Sequence, residues 1–440
     1  MPGTPAKRTT LDTRIKTLGP AKIMTPLPPC RFVGQDETVP VNLTEDELDD
    51  LPGAAAQVRI EKAGPRERIY FDSSKTKCAV VTCGGLCPGI NDVIRAIVME
   101  AHHNYRVSQV LGIRFGLQGF IPRYGHGVIE LTPQRVSEIH QFGGTILGSS
   151  RGPQPAEDIV DALERMNVSA LFVIGGGGTM RAAERVVAEI EKRRIKISVI
   201  GIPKTIDNDI HFISRSFGFD TAVEKATEAI QCAHVEATGA VNGIGLVKLM
   251  GREAGFIAAQ AALARKDVNM VLVPEAPFTL EGEGGLLPAL ERRLKRRGHC
   301  VIVCAEGAGK DLCEHSGKTD ASGNPVLCDI CALLMDRIKA YFKARNTEIT
   351  LKFIDPSYII RSVPANANDR VYCGFLGKNA VHAAMAGKTG MVVSKLQSRF
   401  VHLPLALVTR KRKKLNTHSD YWRAVLESTG QEILAPHLAR

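Results

Sequence analysis

Between Val168 and Arg194 the chain reads VSALFVIGGGGTMRAAERVVAEIEKRR. An apolar run stops at four consecutive glycines, Gly175 to Gly178, and a helical pattern follows at once. A strand without polar alternation is covered on both faces, which is the environment of a parallel sheet. The unit recurs. In KCAVVTCGGLCPGIND a strand over Cys78–Thr82 enters a glycine turn, and a helix is expected from near Asn91. VSQVLGIRFG is a second strand, GGTILGSSRG a further glycine-rich turn, and IKISVIGIPKTIDNDI a strand running into a polar loop. Strands that end in glycine and alternate with helices predict an α/β, doubly wound parallel sheet. In such sheets ligands gather at the carboxyl ends of the strands.

The pattern then starts again. FGFDTAVEKATEAIQCAHVEA reads as a long helix, AVNGIGLVKLMGREAGFIAAQAALA as strand, loop and helix, and VNMVLVPEAPF as a strand stopped by proline. TEITLKFIDPSYIIR reads as a polar strand and turn, PANANDR as an Asn-rich turn, and VYCGFLGKNAVHAAMAG as a helix. The expected organisation is an irregular, proline-rich N-terminal extension over 1–75 with an acidic patch, TEDELDD. A first α/β domain over 76–218 follows, and then a second α/β domain over 219–361. Residues 362–440 return to the first domain and add a C-terminal segment. The two parallel-sheet halves are expected to face each other across a cleft.

Composition removes several function classes. No stretch approaches the 18 apolar residues of a membrane span. The start, MPGTPAKRTTLDTRIK, lacks the apolar core of a secretory signal, and Pro2 and Pro5 disfavour a transit helix, so the cytoplasm is the expected compartment. The net charge of +11 suits an anionic ligand, but 5% aromatic content is a poor base-stacking surface, so no nucleic-acid partner is expected. Cys313, His315, Cys328 and Cys331 have the content of a zinc site. Even so, Cys328 and Cys331 read better as one face of an apolar helix.

The loops at the strand ends hold the chemistry. Thr205, Asp207 and Asp209 fall within PKTIDNDI beside Lys204. In an extended segment Asp207 and Asp209 point to the same side, so one could take a proton from an alcohol while the other stays ionised; an Asx-rich turn is the plain alternative. Arg151 stands in GSSRG, Arg252 in MGREAG, Glu306 in CAEGAG, and Tyr358 and Arg361 in DPSYIIR. Arginine forks fit phosphates bidentately and carboxylates accept from hydroxyls, so the set suits a polyhydroxy phosphate ester.

Taken in order, AGPRERIYFD, CGGLCPGIN, GTILGSSRG, IGGGGT, IPKTIDNDI, GIGLVKLMGREAGFIA, LVPEAPF, DPSYIIRSVPANANDRVYC and YWRAVLESTGQ resemble the phosphofructokinase family. They cover about residues 55–430. The resemblance is best to its long-chain, mostly ATP-dependent branch from plants, protists and some bacteria. It implies two Rossmann-like domains, ATP with Mg2+ as cofactors, and transfer of the γ-phosphoryl to the 1-hydroxyl of fructose 6-phosphate. By resemblance Asp207 is the general base, with Thr205 and Asp209 around the reacting phosphoryl. Met250, Gly251 and Arg252 hold the sugar phosphate and the transferred group. Glu306 binds a sugar hydroxyl, and Tyr358 with Arg361 grips the 6-phosphate. Gly85, Arg151, Gly176, Gly177, Gly178, Thr179 and Lys204 fall on nucleotide-binding positions. A homo-oligomer, dimer or tetramer, is implied, and Glu275 resembles a position near a regulatory site.

The chain departs from the family pattern in one place that matters. The family's Gly-Gly-Asp-Gly-Thr places a metal-binding aspartate where this chain has Gly177, so no metal ligand is expected there and Asp207 or Asp209 would have to approach the ion. GIRFGLQG also lacks a tyrosine and a glutamate of relatives near the nucleotide pocket. Gly178, paired with Lys204, points to ATP as donor. Three readings follow: a working ATP-dependent enzyme, a pyrophosphate-using relative, and a catalytically weak paralog that binds sugar phosphate.

Overall fold

The computed structural model describes residues 11–44, 57–312, 319, 326–432 and 434. Most of the acidic patch at 44–50 lies outside the described residues, as do Cys313 and His315.

From Lys77 the chain follows the alternation read from the sequence. The order is β1 (Lys77–Thr82), α1 (Ile90–Met99), β2 (Gln109–Ile113), β3 (Val128–Glu130), α2 (Ala156–Arg165), β4 (Ala170–Gly175), α3 (Gly177–Arg193) and β5 (Ser198–Pro203). Next come α4 (Phe219–Thr238), β6 (Gly243–Leu249), α5 (Phe256–Ala264), β7 (Met270–Leu272), α6 (Leu286–Arg297) and β8 (His299–Ala305). These are followed by α7 (Ile330–Lys343), β9 (Thr350–Ile354), α8 (Ser357–Ser362), α9 (Ala367–Met385), β10 (Met391–Leu396), β11 (Arg399–Pro404) and α10 (Asp420–Thr429).

Two compact units result. The first draws on 1–205, 210–218 and 363–412, the second on 206–209, 219–362 and 413–440. In the first, the strand order is β11-β10-β5-β4-β1-β2-β3. The five inner strands run parallel, and an antiparallel strand closes each edge. Ala79, Leu171 and Val199 lie in register across three neighbouring strands, all buried. α1 and α9 pack closely because Gly377 has no side chain; a Cβ there would stand 2.6 Å from that of Ala96.

The described part of residues 1–75 corrects the expectation of irregular chain. Thr38–Asn42 pairs antiparallel with Gln57–Glu61, Ile23–Met24 with Arg68–Ile69, and Lys16–Thr17 with Lys388–Thr389. A buried ionic cluster ties these pieces down. The Glu61 carboxylate meets Lys388 Nζ at 2.9 Å, His402 Nδ1 at 2.8 Å and Arg66 Nη2 at 3.3 Å. Removing one member would strand charge in the interior, which costs several kcal/mol, about 3–5 in comparable cases.

The second unit is a four-stranded parallel sheet, β7-β8-β6-β9. Along β6, Gly245 abuts Ala233 of α4, while Ile244 and Leu246 join the core lined by α6 and α7. Successive side chains on a strand point to opposite faces, so helices cover both faces of this sheet. Both units are Rossmann-like.

Candidate functional site

The strand order locates a crevice in the first unit. There the chain leaves β1 toward β2 and leaves β4 toward β5 on the other side, so the connections diverge between β1 and β4. Loops that diverge leave a crevice at the strand ends. The loops after β1, β4 and β5 meet there. Lys204 Nζ donates to the Gly85 carbonyl at 2.6 Å, and its backbone N–H donates to the Gly175 carbonyl at 2.9 Å. The Gly84 N–H donates to the Ser150 carbonyl at 3.1 Å, and Ser149 Oγ donates to the Gly84 carbonyl at 2.6 Å. This draws GSSRG against the loop after β1, and a Cβ on Gly85 would lie 3.8 Å from Arg151 Nη2. Gly85, Arg151, Gly176 and Lys204 are therefore close together. Thr179 is buried, with its side chain packed into the space left by Gly175.

The four glycines are not alike. A Cβ on Gly175 would collide with Thr179, and one on Gly176 would stand 3.3 Å from the Lys204 carbonyl. At Gly177 and Gly178 a Cβ would meet only Arg181, at 3.9 and 4.0 Å, and neither residue has the left-handed backbone that favours glycine. These two form the first turn of α3, whose free N–H groups suit an anion.

PKTIDNDI is a turn and not an extended segment. Asn208 has φ 56°, so the two-residue alternation that would put Asp207 and Asp209 on one side does not apply, and that expectation is corrected. The short polar side chain of asparagine tolerates this conformation. Thr205 accepts Ser216 Oγ at its carbonyl (2.5 Å), and the Asp209 carbonyl accepts the Lys413 N–H at 2.8 Å. One carboxylate oxygen of Asp207 is buried. Thr205 counts with the first unit, Asp207 and Asp209 with the second.

In the second unit β6 and β8 are neighbours, but the chain leaves β6 toward β7 and leaves β8 toward β9, so these connections cross and do not diverge. Their ends are joined by backbone bonds from Glu306 N–H to the Leu249 carbonyl (2.9 Å) and from Gly307 N–H to the Gly251 carbonyl (3.1 Å). Gly251 takes φ 135°, and a Cβ there would press on the Ala254 carbonyl at 2.7 Å. Glycine is thus required where Met250, Gly251 and Arg252 turn past Glu306. Burial pushes the Glu306 carboxyl up, against the pull of Lys248 and Arg252.

Tyr358 and Arg361 do not lie in a strand–turn: they sit on the short helix α8, with the guanidinium 4.7 Å from the tyrosine ring centre. Asp355 organises the start of α8 by accepting the Ser357 N–H at 3.1 Å and its hydroxyl at 2.5 Å. Lys248 on β6 ion-pairs with Asp355 at 3.5 Å. Burial works against the Lys248 ammonium, but Asp329 and Asp355 outweigh it and hold its pKa up. Sequence reasoning missed this pair; a lysine inside the apolar run GIGLVKL was the available signal. Glu275, whose position resembles one near a regulatory site, accepts the N–H groups of Gly255 (3.1 Å) and Leu415 (2.8 Å). Cys331 is buried on α7, whereas Cys328 precedes that helix, so the shared helical face is corrected. Among the described residues no group of three or more His, Cys, Asp or Glu side chains could hold a metal ion.

Comparison with known proteins agrees with this geometry. Residues 77–384 match the family model described as Phosphofructokinase. The ATP-dependent 6-phosphofructokinase of Borreliella burgdorferi is 49% identical over 97% of this chain and 98% of that protein. ATP-dependent 6-phosphofructokinase 1 of Arabidopsis thaliana is 48% identical over 91% of this chain and 84% of that protein. The ATP-dependent 6-phosphofructokinase of Trypanosoma brucei brucei is 47% identical over 88% of this chain and 79% of that protein. A solved pyrophosphate-dependent phosphofructokinase from Marinobacter aquaeolei shares the fold. Its TM-score is 0.66 at 22% identity, over 80% of this chain and 91% of that one.

Proposed function

The chain belongs to the phosphofructokinase family, and from that premise we propose that it transfers the γ-phosphoryl group of ATP to the 1-hydroxyl of fructose 6-phosphate. The observation that carries this reading is the meeting of Gly85, Arg151 and Lys204 with the first turn of α3 at the strand reversal of the first unit. That crevice has the donors and charge for a polyphosphate. Gly178 adds no side chain to it, which leaves room for the rest of ATP.

In the reaction Asp207 accepts the proton of the 1-hydroxyl as the new O–P bond forms. The bond from the γ-phosphorus to the β–γ bridging oxygen breaks, and ADP leaves with that oxygen. Lys204 and Arg252 balance charge on the migrating group. Glu306 accepts from a sugar hydroxyl, and Tyr358 with Arg361 holds the 6-phosphate. The loops at 83–89, 145–151 and 175–179 contain no carboxylate. That suits a Mg2+ ion carried by the phosphates with few protein ligands, Asp207 or Asp209 being the available ones. When bound, the ion spreads negative charge off the phosphate oxygens.

Changing Asp207 to Asn removes the proton acceptor and keeps the shape. Turnover is expected to fall about 100-fold or more, with fructose 6-phosphate binding nearly unchanged. Steady-state rates and a separate binding titration decide this; undiminished turnover would remove Asp207 from its role. The weak-paralog reading is favoured by one observation, the carboxylate-free loop at Gly177, and predicts tight sugar-phosphate binding without turnover. No helix among the described residues is long and apolar enough to cross a membrane. A cytoplasmic site of action and a homo-oligomer complete the reading, to be checked by fractionation and by sedimentation of the full chain.

A further inference from the structure

We propose that Arg181 binds the phosphates of the donor, supplying positive charge directly where the glycine turn offers no carboxylate for a metal. The proposal rests on the ATP-dependent reading above and adds a residue to its donor site.

Arg181 lies four residues after Gly177 and three after Gly178, on the same face of α3. Helical side chains tilt toward the N-terminus, so a long one at this position reaches back over the first turn. The structure shows that reach. Nη1 lies 3.9 Å from where a Cβ on Gly177 would stand, and Nη2 lies 4.0 Å from the corresponding point on Gly178. Both terminal nitrogens of the fork therefore border the turn.

The neighbouring carboxylates are engaged elsewhere. Glu184, one turn on, accepts the Thr409 hydroxyl at 3.0 Å. Farther along the same helix, Arg193 is tied to Glu189, Asp161 and Glu164. Among the described residues no carboxylate forms an ion pair with Arg181, and its side chain is exposed. The guanidinium fork borders the first turn of α3, and the preceding residue of that turn, Gly176, stands against the Lys204 carbonyl. Such a fork can take two phosphate oxygens at once.

The same geometry makes Arg181 and position 177 interdependent. An aspartate at 177 would form an i,i+4 pair with Arg181 and draw the fork away from the donor. The arginine should therefore matter in the chain as it stands and matter little once an aspartate is present.

The test is calorimetric titration of the full chain with ATP in excess EDTA, and separately with fructose 6-phosphate. Arg181→Met keeps the apolar stem and the helix propensity while removing the fork. The expected result is about a tenfold weaker ATP affinity with fructose 6-phosphate affinity within twofold, the loss typical of one charged hydrogen-bonding group. In the Gly177→Asp background the same substitution should change ATP affinity less than about twofold. Undiminished ATP binding by Arg181→Met would overturn the inference, and so would equal losses for both ligands. If the unaltered chain binds fructose 6-phosphate but no ATP, with or without Mg2+, the ATP-dependent reading falls and takes the inference with it.

Discussion

Gly177 stands at the first position of α3 with backbone that any residue can adopt and with space for a side chain. The missing carboxylate is therefore a chemical difference and imposes no strain. At Asp207 and Asp209 the sequence suggested the wrong geometry, because nothing in the letters showed that Asn208 would turn left-handed. Asp92, in the first turn of α1, shows what sequence alone does not register. Burial pushes its carboxyl up to about 6, against the pull of Arg370 and His140. The unfolded chain releases this proton near pH 4 and the folded chain only near 6, so the native state loses stability as pH rises through that window. The full shift corresponds to about 3 kcal/mol at most. Asp92→Asn is expected to stabilise the protein at pH 7 and to flatten the stability profile between about pH 4 and 6. Denaturant melts at several pH values measure this; an Asn variant with an unchanged profile would show that Asp92 is not held protonated.

Elements were legible where burial on both faces leaves an unbroken apolar run, as in β1, β4 and β5. They were not legible where pairing is non-local. Lys16–Thr17 finds its partner at Lys388–Thr389, and no local pattern announces a strand of two exposed residues. The short helix α8 was misread although Asp355, Pro356 and Ser357 form a helix-start signal, because the polar residues of β9 ran on into it. Ile360 anchors α8 in the core while Tyr358 stays 75% exposed, on a side that also exposes Ile359. Arg361→Ala is expected to weaken fructose 6-phosphate binding about tenfold or more, the range for a lost charged hydrogen bond, and to leave ATP affinity unchanged. Separate titrations with each ligand measure this, and equal losses would contradict a phosphate grip on α8.

At the scale of the whole molecule, the first unit places its candidate residues where the strand connections diverge, and the second places its own in the turns that follow β6, β8 and β9. Both positions are at strand ends, which explains why motifs scattered from Gly85 to Arg361 could be read as one donor set and one acceptor set before any contact was known. On the proposed reading the donor set lacks the family's carboxylate at Gly177, and the acceptor set keeps Met250, Gly251, Arg252, Glu306, Tyr358 and Arg361. The central claim is that phosphoryl transfer from ATP persists with a raised demand for Mg2+. The most direct measurement is the steady-state rate of fructose 1,6-bisphosphate formation from ATP, and in parallel from pyrophosphate, with Mg2+ titrated for the protein and for Gly177→Asp. The account predicts slow ATP-dependent turnover that needs more Mg2+, with Gly177→Asp raising the rate and lowering that need. No product from ATP with either protein, despite tight fructose 6-phosphate binding, would contradict it.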